Sequence, residues 1–286
     1  MSLFFVDSSS DLSHSIIKKL GIEMINLPYK KDNQECEYGS DFDHKKIYSK
    51  SKKGISIERM LLNKQDYINI FEPCLKQGDD IVYVISSTNI SNAEHLIEAK
   101  DDLLQKYPER KFEIVDSKNI SIGQGLVSYE CAMLYRKGDS VEDIAERART
   151  ITNEYAFYFA CDNVEKLSKS GCIDSMITGG TALNIKPILT INFDGKFELS
   201  DKVSGKKKTI AKLLEIIRQQ GENVADYPIG IVYTADENSA IDLMEKIKET
   251  FGSDINLLFE KLTPSNVGLL GSEILGLAFH THKKIF

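Results

Sequence analysis

No C-x-x-C pair, no excess of positive charge and no long apolar run occurs in this chain of 286 residues, and each lack removes a class of function. The five cysteines, Cys36, Cys74, Cys131, Cys161 and Cys172, are odd in number and widely scattered. They indicate neither a disulfide framework nor a zinc site, and each reads as a small apolar filler. The net charge of −7 argues against a nucleic-acid or anionic-membrane surface as the main partner, because both select for basic faces. Lys206-Lys207-Lys208 is the one basic run and reads as a solvated helix face. No window approaches the roughly 18 uncharged apolar residues of a membrane span. The opening MSLFFVDSSSD has neither a basic n-region nor a long apolar core. The expectation is a cytoplasmic protein without stable membrane insertion.

Signatures of catalysis and of cofactor binding are missing as well. His14, His44 and His95 are isolated, while His280 and His282 fall near the C-terminus, where a solvated pair is expected. SIGQGLVS holds Gly123 and Gly125 but lacks the third glycine of a dinucleotide fingerprint, and VSGKKKT lacks the G-x-x-x-x-G-K of a phosphate loop. No G-x-S-x-G occurs, and nothing in SKSGCID marks the Cys172 thiol as activated. None of these motifs supports nucleotide, metal or nucleophilic chemistry, and the expectation is a chain without catalytic residues, metal or cofactor.

What is present is an ordinary globular composition, 42% hydrophobic and 28% charged, in a chain long enough to favour two domains over one core. In the N-terminal half, apolar runs at Leu3–Val6, Ile81–Ile85 and Phe112–Val115 alternate with helical patterns at Asp11–Leu20, Lys64–Lys76, Asn92–Tyr107 and Ile120–Tyr135. That alternation predicts a parallel, Rossmann-like sheet with helices on both faces. The stretch from Lys30 to Gly54 is polar and charge-rich, with a helix expected over Asp41–Ser49. Beyond Ser140–Asn153, itself helical, the texture changes. IKPILTINFDGKFEL sets Asp194-Gly195 between two apolar runs, a hairpin signal. Strands at Ile229–Tyr233 and Asn256–Glu260 with helices at Lys206–Gln219 and Glu237–Phe251 complete a mixed sheet. The expected fold class is α/β in two domains: an N-terminal α/β domain over residues 1–150 and a C-terminal α+β domain over 151–286.

One stretch poses the functional question. IVYVISSTNIS runs a buried strand into Ser86, Ser87, Thr88, Asn89 and Ser91 and then opens a helix. Serine and asparagine end strands and cap helices in any protein. The same junction also suits an anion, since free N–H groups and a helix dipole point at one spot. FFVDSSSD and EIVDSKNIS repeat the pattern. In a parallel sheet all three tips lie on one edge, where open α/β sheets bind ligands.

Those tips, taken with the second half, resemble the DegV family of bacterial fatty-acid-binding proteins. FFVDSSSDL is similar to that family's opening strand and D-S-S-x-D-L turn, and VDSKNISIGQGL to its D-S-x-x-x-S-x-G-x-G segment. TALNIKPIL followed by DGKFELSDKVSGKKKTI resembles its L-N-I-K-P-I-L and K-x-R-G-K-K-K-A stretch. The resemblance implies a long-chain fatty acid held between two α/β domains, its carboxylate bound by hydroxyls and other polar groups. It also implies a carrier that presents the acid to the catalytic subunit of a separate fatty acid kinase. By the same resemblance Ser91 keeps the carboxylate-binding serine of the family's S-S-x-L-S-G-T-Y, with Ser8, Ser87, Thr88 and Ser121 on the neighbouring turns.

Several positions depart from the family pattern. Asn92 replaces the glycine after that serine, Arg59 stands at the carboxylate-binding threonine, Ser204 at the arginine of K-x-R-G, and Leu269 at the histidine of H-x-G-P-G. A bidentate guanidinium can replace several weaker donors to a buried carboxylate, which makes Arg59 the compensating residue. The alternative is an Arg59 that faces solvent beside a site that no longer takes acids. Two other functions fit the same residues: an interaction or regulatory protein that has lost lipid binding, and a small-molecule enzyme using the hydroxyl-rich edge.

Overall fold

Burial at every second residue, on both faces, organises the first sheet. The computed structural model describes residues 1–39, 42–91, 93–161, 167 and 185–282. Its elements begin with β1 (Ser2–Asp7), α1 (His14–Leu20), β2 (Glu23–Ile25), β3 (Tyr29–Lys31), β4 (Gln34–Cys36), α2 (His44–Lys52) and β5 (Ile57–Arg59). Next come α3 (Lys64–Gln77), β6 (Asp80–Ile85), the single turn α4 (Thr88–Ser91), α5 (Glu94–Lys106), β7 (Phe112–Asp116), α6 (Ile122–Lys137) and α7 (Val141–Ile151). The chain then builds β8 (Tyr155–Cys161), β9 (Ile185–Ile191), β10 (Phe197–Ser204), α8 (Lys206–Gln220), β11 (Ile229–Tyr233) and α9 (Glu237–Phe251). It closes with β12 (Leu257–Lys261), α10 (Pro264–Leu270) and β13 (Ile274–His280).

Among the described residues the strands form three sheets. The first, in the order β2-β1-β6-β7, is wholly parallel. Val82 and Val84 of β6 face one apolar layer together with Val6 and residues of α6 and α7. Ile81, Tyr83 and Ile85 face the other, against Phe71 of α3 and Leu96 of α5. Burial on both sides is what a parallel sheet between two helical layers requires. The second sheet runs β10-β9-β8-β13-β11-β12, parallel only at β11–β12. Helices α8 and α9 cover one of its faces. The other face packs through Phe157, Val232 and Ala278 into the same layer as α6. Helix α6 therefore sits between the two sheets and is buried nearly all round its first three turns, as a helix with no water-facing side must be.

Two features differ from the sequence expectation. The polar segment after Lys30 contains a small antiparallel sheet, β4-β3-β5, whose strands of three residues each are too short to show alternation. His280 is not one of a solvated pair of histidines. Strand β13 lies between β8 and β11 in the middle of the mixed sheet, and His280 is buried, its ring stacked 3.7 Å from that of Tyr227. His282 does face water and pairs with Glu222 at 2.6 Å.

The halves are joined by a buried polar seam. The Asp11 carboxylate accepts from Thr263 N at 2.6 Å, Ser121 Oγ at 2.5 Å and Asn266 Nδ2 at 2.7 Å. Thr263 Oγ1 donates to Ser8 O and Asn266 Nδ2 to Ser9 O, which ties α10 to the turn after β1. Burial pushes the Asp11 carboxyl up to about 7 against the three donors that favour its charged form. Glu260 is likewise lifted to about 7, by burial first and by the Asp11 charge after it.

The sign of the resulting pH dependence follows from linkage. An unfolded aspartate releases its proton near pH ~4. Between about pH 4 and about pH 7 the folded chain therefore holds the extra proton, and stability falls as pH rises. The contribution is complete below that window and gone above it. Urea unfolding across it should show the wild type losing roughly 1 kcal/mol per pH unit relative to Asp11→Asn, which carries no titrating group at this position.

Candidate functional site

Because Val6 pairs with Val84 in parallel register, β1 and β6 end at one level. The 3-10 turn Ser8–Ser10 follows the first and α4 the second. In α4 the backbone N–H groups of Ile90 and Ser91 donate to Ser87 O at 2.8 and 2.9 Å. The Ser91 hydroxyl donates to the same carbonyl at 3.0 Å. Arg59 arrives from the small sheet, where it pairs with Tyr29. Helix α10 lies flush on this strand: a Cβ on Gly268 would come within 2.5 Å of Arg59 N, so only glycine allows the approach. The guanidinium reaches Ile90 O through Nη1 and Ser86 Oγ through Nη2, each at 3.4 Å. It thus lies over the residue that precedes Ser91.

Arg59 and Ser91 line one small cavity of about 20 Å³, room for about one water. Its other polar walls are Asp7, Tyr67 and Tyr83, and its apolar walls are Leu27, Leu61, Leu62, Ile85, Ala93 and Leu96. Asp7 is already satisfied. Ser9 N donates to its Oδ1 at 2.8 Å and Tyr83 Oη to its Oδ2 at 2.8 Å, with the Ser9 hydroxyl and Gln124 beside them. Burial first, and the Asp7 charge after it, raise the Tyr67 and Tyr83 hydroxyls above their usual range, so both stay protonated donors. The site can therefore offer an incoming carboxylate a guanidinium and a hydroxyl at one end and apolar walls beyond. A larger hollow of about 240 Å³ lies over the mixed sheet beside Lys186, Lys206 and Asp236. Lys206 and Asp236 pair with each other there at 2.5 Å, and none of the candidate ligand-binding residues named from the sequence lines it.

Of the remaining residues named from the sequence, those the structure describes do not line this cavity and are engaged elsewhere. Ser8 Oγ accepts from Leu27 N at 3.0 Å. Ser87 Oγ donates to Gly195 O at 2.7 Å, and Asn89 Nδ2 to Asp194 O at 2.7 Å, so the β9–β10 hairpin turn is fastened to the end of β6. Thr88 Oγ1 donates to Asp116 at 2.7 Å on the surface. Ser121 belongs to the Asp11 seam. Asn92 lies outside the described residues. Leu269 is buried in the large apolar layer. Sequence reasoning named Ser86 only as part of the strand-end cluster and did not single out Asp7, Tyr67 or Tyr83. The available signal was the alternation of β6, which turns Tyr83 to the same face as Ile81 and Ile85.

Comparison with known proteins places these features in a wider set. A family model described as uncharacterised protein, DegV family, matches residues 4–281. A DegV domain-containing protein of Clostridium perfringens is 30% identical over 253 residues, which covers 87% of this chain and 87% of that protein. Among solved structures, a DegV-family protein of Ruminococcus gnavus with vaccenic acid is similar at TM-score 0.83 and 18% identity, covering 97% of this chain and 99% of that one. The fatty acid kinase B3 protein of Streptococcus pneumoniae, loaded with linoleic acid, is similar at TM-score 0.82 and 18% identity, covering 98% and 100%. The parallel sheet and the separate mixed sheet match the two-domain fold of these structures.

The hairpin fastening makes its own prediction. Gly195 has φ +78°, and a Cβ there would stand 2.2 Å from Ser87 Oγ. Gly195→Ala should destabilise the chain by about 1–3 kcal/mol, from the unfavourable φ and the overpacking together, read as a lowered midpoint in denaturant unfolding.

Proposed function

This chain belongs to the DegV family, and we propose that it binds a fatty acid or a similar amphipathic acid non-covalently, as a carrier and not as an enzyme. The observation that carries this reading is the convergence of the Arg59 guanidinium and the Ser91 hydroxyl on one otherwise largely apolar cavity. A buried carboxylate needs a cation or several donors, and an arginine fork with an adjacent hydroxyl supplies both. Asp7, its oxygens already occupied by Ser9 and Tyr83, repels a second carboxylate from the inner wall and favours the Arg59 end. The Ser91 hydroxyl turns from Ser87 O to donate to the acid. Fatty acids are bound by the solved relatives from Ruminococcus gnavus and Streptococcus pneumoniae, which supports the same ligand class here.

The rest of the reading follows from that ligand. The division between the domains falls near residue 150, between the last helix of the parallel half and β8. The protein acts in the cytoplasm; none of the described helices is long and apolar enough to cross a membrane. The acid is presented to the catalytic subunit of a fatty acid kinase, a partner suggested by the streptococcal relative.

Native mass spectrometry of the protein purified from cells tests the ligand class. An added mass in the range of a fatty acid is expected, whereas a clean apo mass and no binding of added acids would favour an interaction protein that has lost lipid. Ser91→Ala should weaken acid binding by about 0.5–1.5 kcal/mol. Arg59→Leu should cost about 3 kcal/mol or more, because the buried carboxylate loses its cation. Arg59→Lys should restore part of that, since charge returns without the planar fork. The matching alcohol should be nearly indifferent to both arginine changes.

A further inference from the structure

Each polar side chain on the cavity wall can be traced to a partner except one. Tyr83 Oη donates to Asp7 Oδ2 at 2.8 Å, and Ser91 Oγ to Ser87 O at 3.0 Å. Arg59 spans Ile90 O and Ser86 Oγ. The Tyr67 hydroxyl, on the same wall, makes no hydrogen bond to any of the described residues. Its place is nonetheless fixed. Asn63 and Asp66 close a capping box at the start of α3, each side chain accepting from the other's backbone N–H, at 3.0 and 2.9 Å. Tyr67 follows directly, its own N–H bonded to Asn63 O. The Tyr67 ring stacks on that of Phe71 one helical turn on, with an interplanar angle of 2° and centroids 6.3 Å apart. Phe71 is itself fully buried against Phe5, Tyr83 and Phe112. Only residues 60–63 separate α3 from Arg59 at the end of β5, so cation and phenol reach the cavity from the two ends of one short link. An ionised carboxylate has about four lone-pair sites. The arginine fork meets two of them and the Ser91 hydroxyl a third, which leaves one for a further donor. Burial first, and the Asp7 charge after it, hold the Tyr67 phenol above its usual range, with Arg59 pulling the other way. The hydroxyl therefore keeps its proton and meets an anion as a donor.

We propose that the Tyr67 hydroxyl is a third ligand of the acid's carboxylate, beside the Arg59 guanidinium and the Ser91 hydroxyl. The proposal rests on the acid-binding reading above and adds to it a residue that selects an ionised head group over a neutral one.

Competition between the delipidated full-length chain and cyclodextrin for oleate, and separately for oleyl alcohol, tests it. Tyr67→Phe removes one oxygen and keeps the ring stacked on Phe71. Because that hydroxyl holds no protein group among the described residues, the urea midpoint of the variant should match the wild type. Oleate affinity should fall about tenfold to a hundredfold, the worth of a hydrogen bond to a charged group. The alcohol accepts only a neutral hydrogen bond and should lose less, so the oleate-to-alcohol affinity ratio should drop by about fivefold or more. A ratio equal to that of the wild type overturns the proposal, whether or not the midpoint moves, and a lowered midpoint with that ratio would assign the hydroxyl to Asp7. Failure of the wild type to bind oleate overturns the acid-binding reading itself, and the role of Tyr67 with it.

Discussion

Asp11 is a buried carboxyl on which donors from two distant stretches of chain converge, and the remaining geometry hangs from that point. Its donors come from Ser121, where α6 begins, and from Thr263 and Asn266, where α10 begins. To reach them Asp11 takes φ 54° and Ser121 φ 57°, left-handed values that a side chain other than glycine adopts at a cost. Helix α6 is the element common to both sheets, and α10 is the element that lies on β5. A single carboxyl therefore sets the start of the helix that joins the halves and of the helix that positions Arg59. Burial of a polar group at such a seam is tolerable because every one of its acceptor positions in use is met by a donor from a different part of the chain.

Legibility in the sequence varied with the length of the elements. The parallel half was readable because β1, β6 and β7 are five or six residues long, apolar, and each followed by a hydroxyl-rich turn and a helical pattern. The hairpin of the mixed sheet was readable from Asp194-Gly195 alone. Strand β13 was not, because ILGLAFH has no polar alternation: it is buried on both faces and ends in a histidine, so it looks like any apolar tail. The small sheet was hidden by strands of three residues with exposed or half-buried lysines and glutamates.

The same limit applies to the site. A hydroxyl after a strand looks alike in sequence whether it meets a ligand or a neighbouring loop. Ser87 and Thr88 illustrate this, one fastened to the hairpin and the other to Asp116. Arg59 drew notice only through resemblance to a family pattern from which it departs. Asp7 and Tyr83 read as the end and the middle of strands, and only the pairing of β1 with β6 puts the two on one wall. Opposite charges thus line the cavity, Asp7 hydrogen-bonded by Ser9 and Tyr83, and Arg59 hydrogen-bonded to Ile90 and Ser86.

The flush contact at Gly268 has a mechanical consequence. With no side chain between α10 and β5, there is no compliant layer to absorb a shift of one against the other. Since α10 is anchored through Thr263 and Asn266 to the turn after β1, turn, helix and strand are tied in series up to Arg59. A side chain at position 268 would therefore have to push the Arg59 backbone, and the guanidinium with it, away from its place beside Ile90 and Ser86.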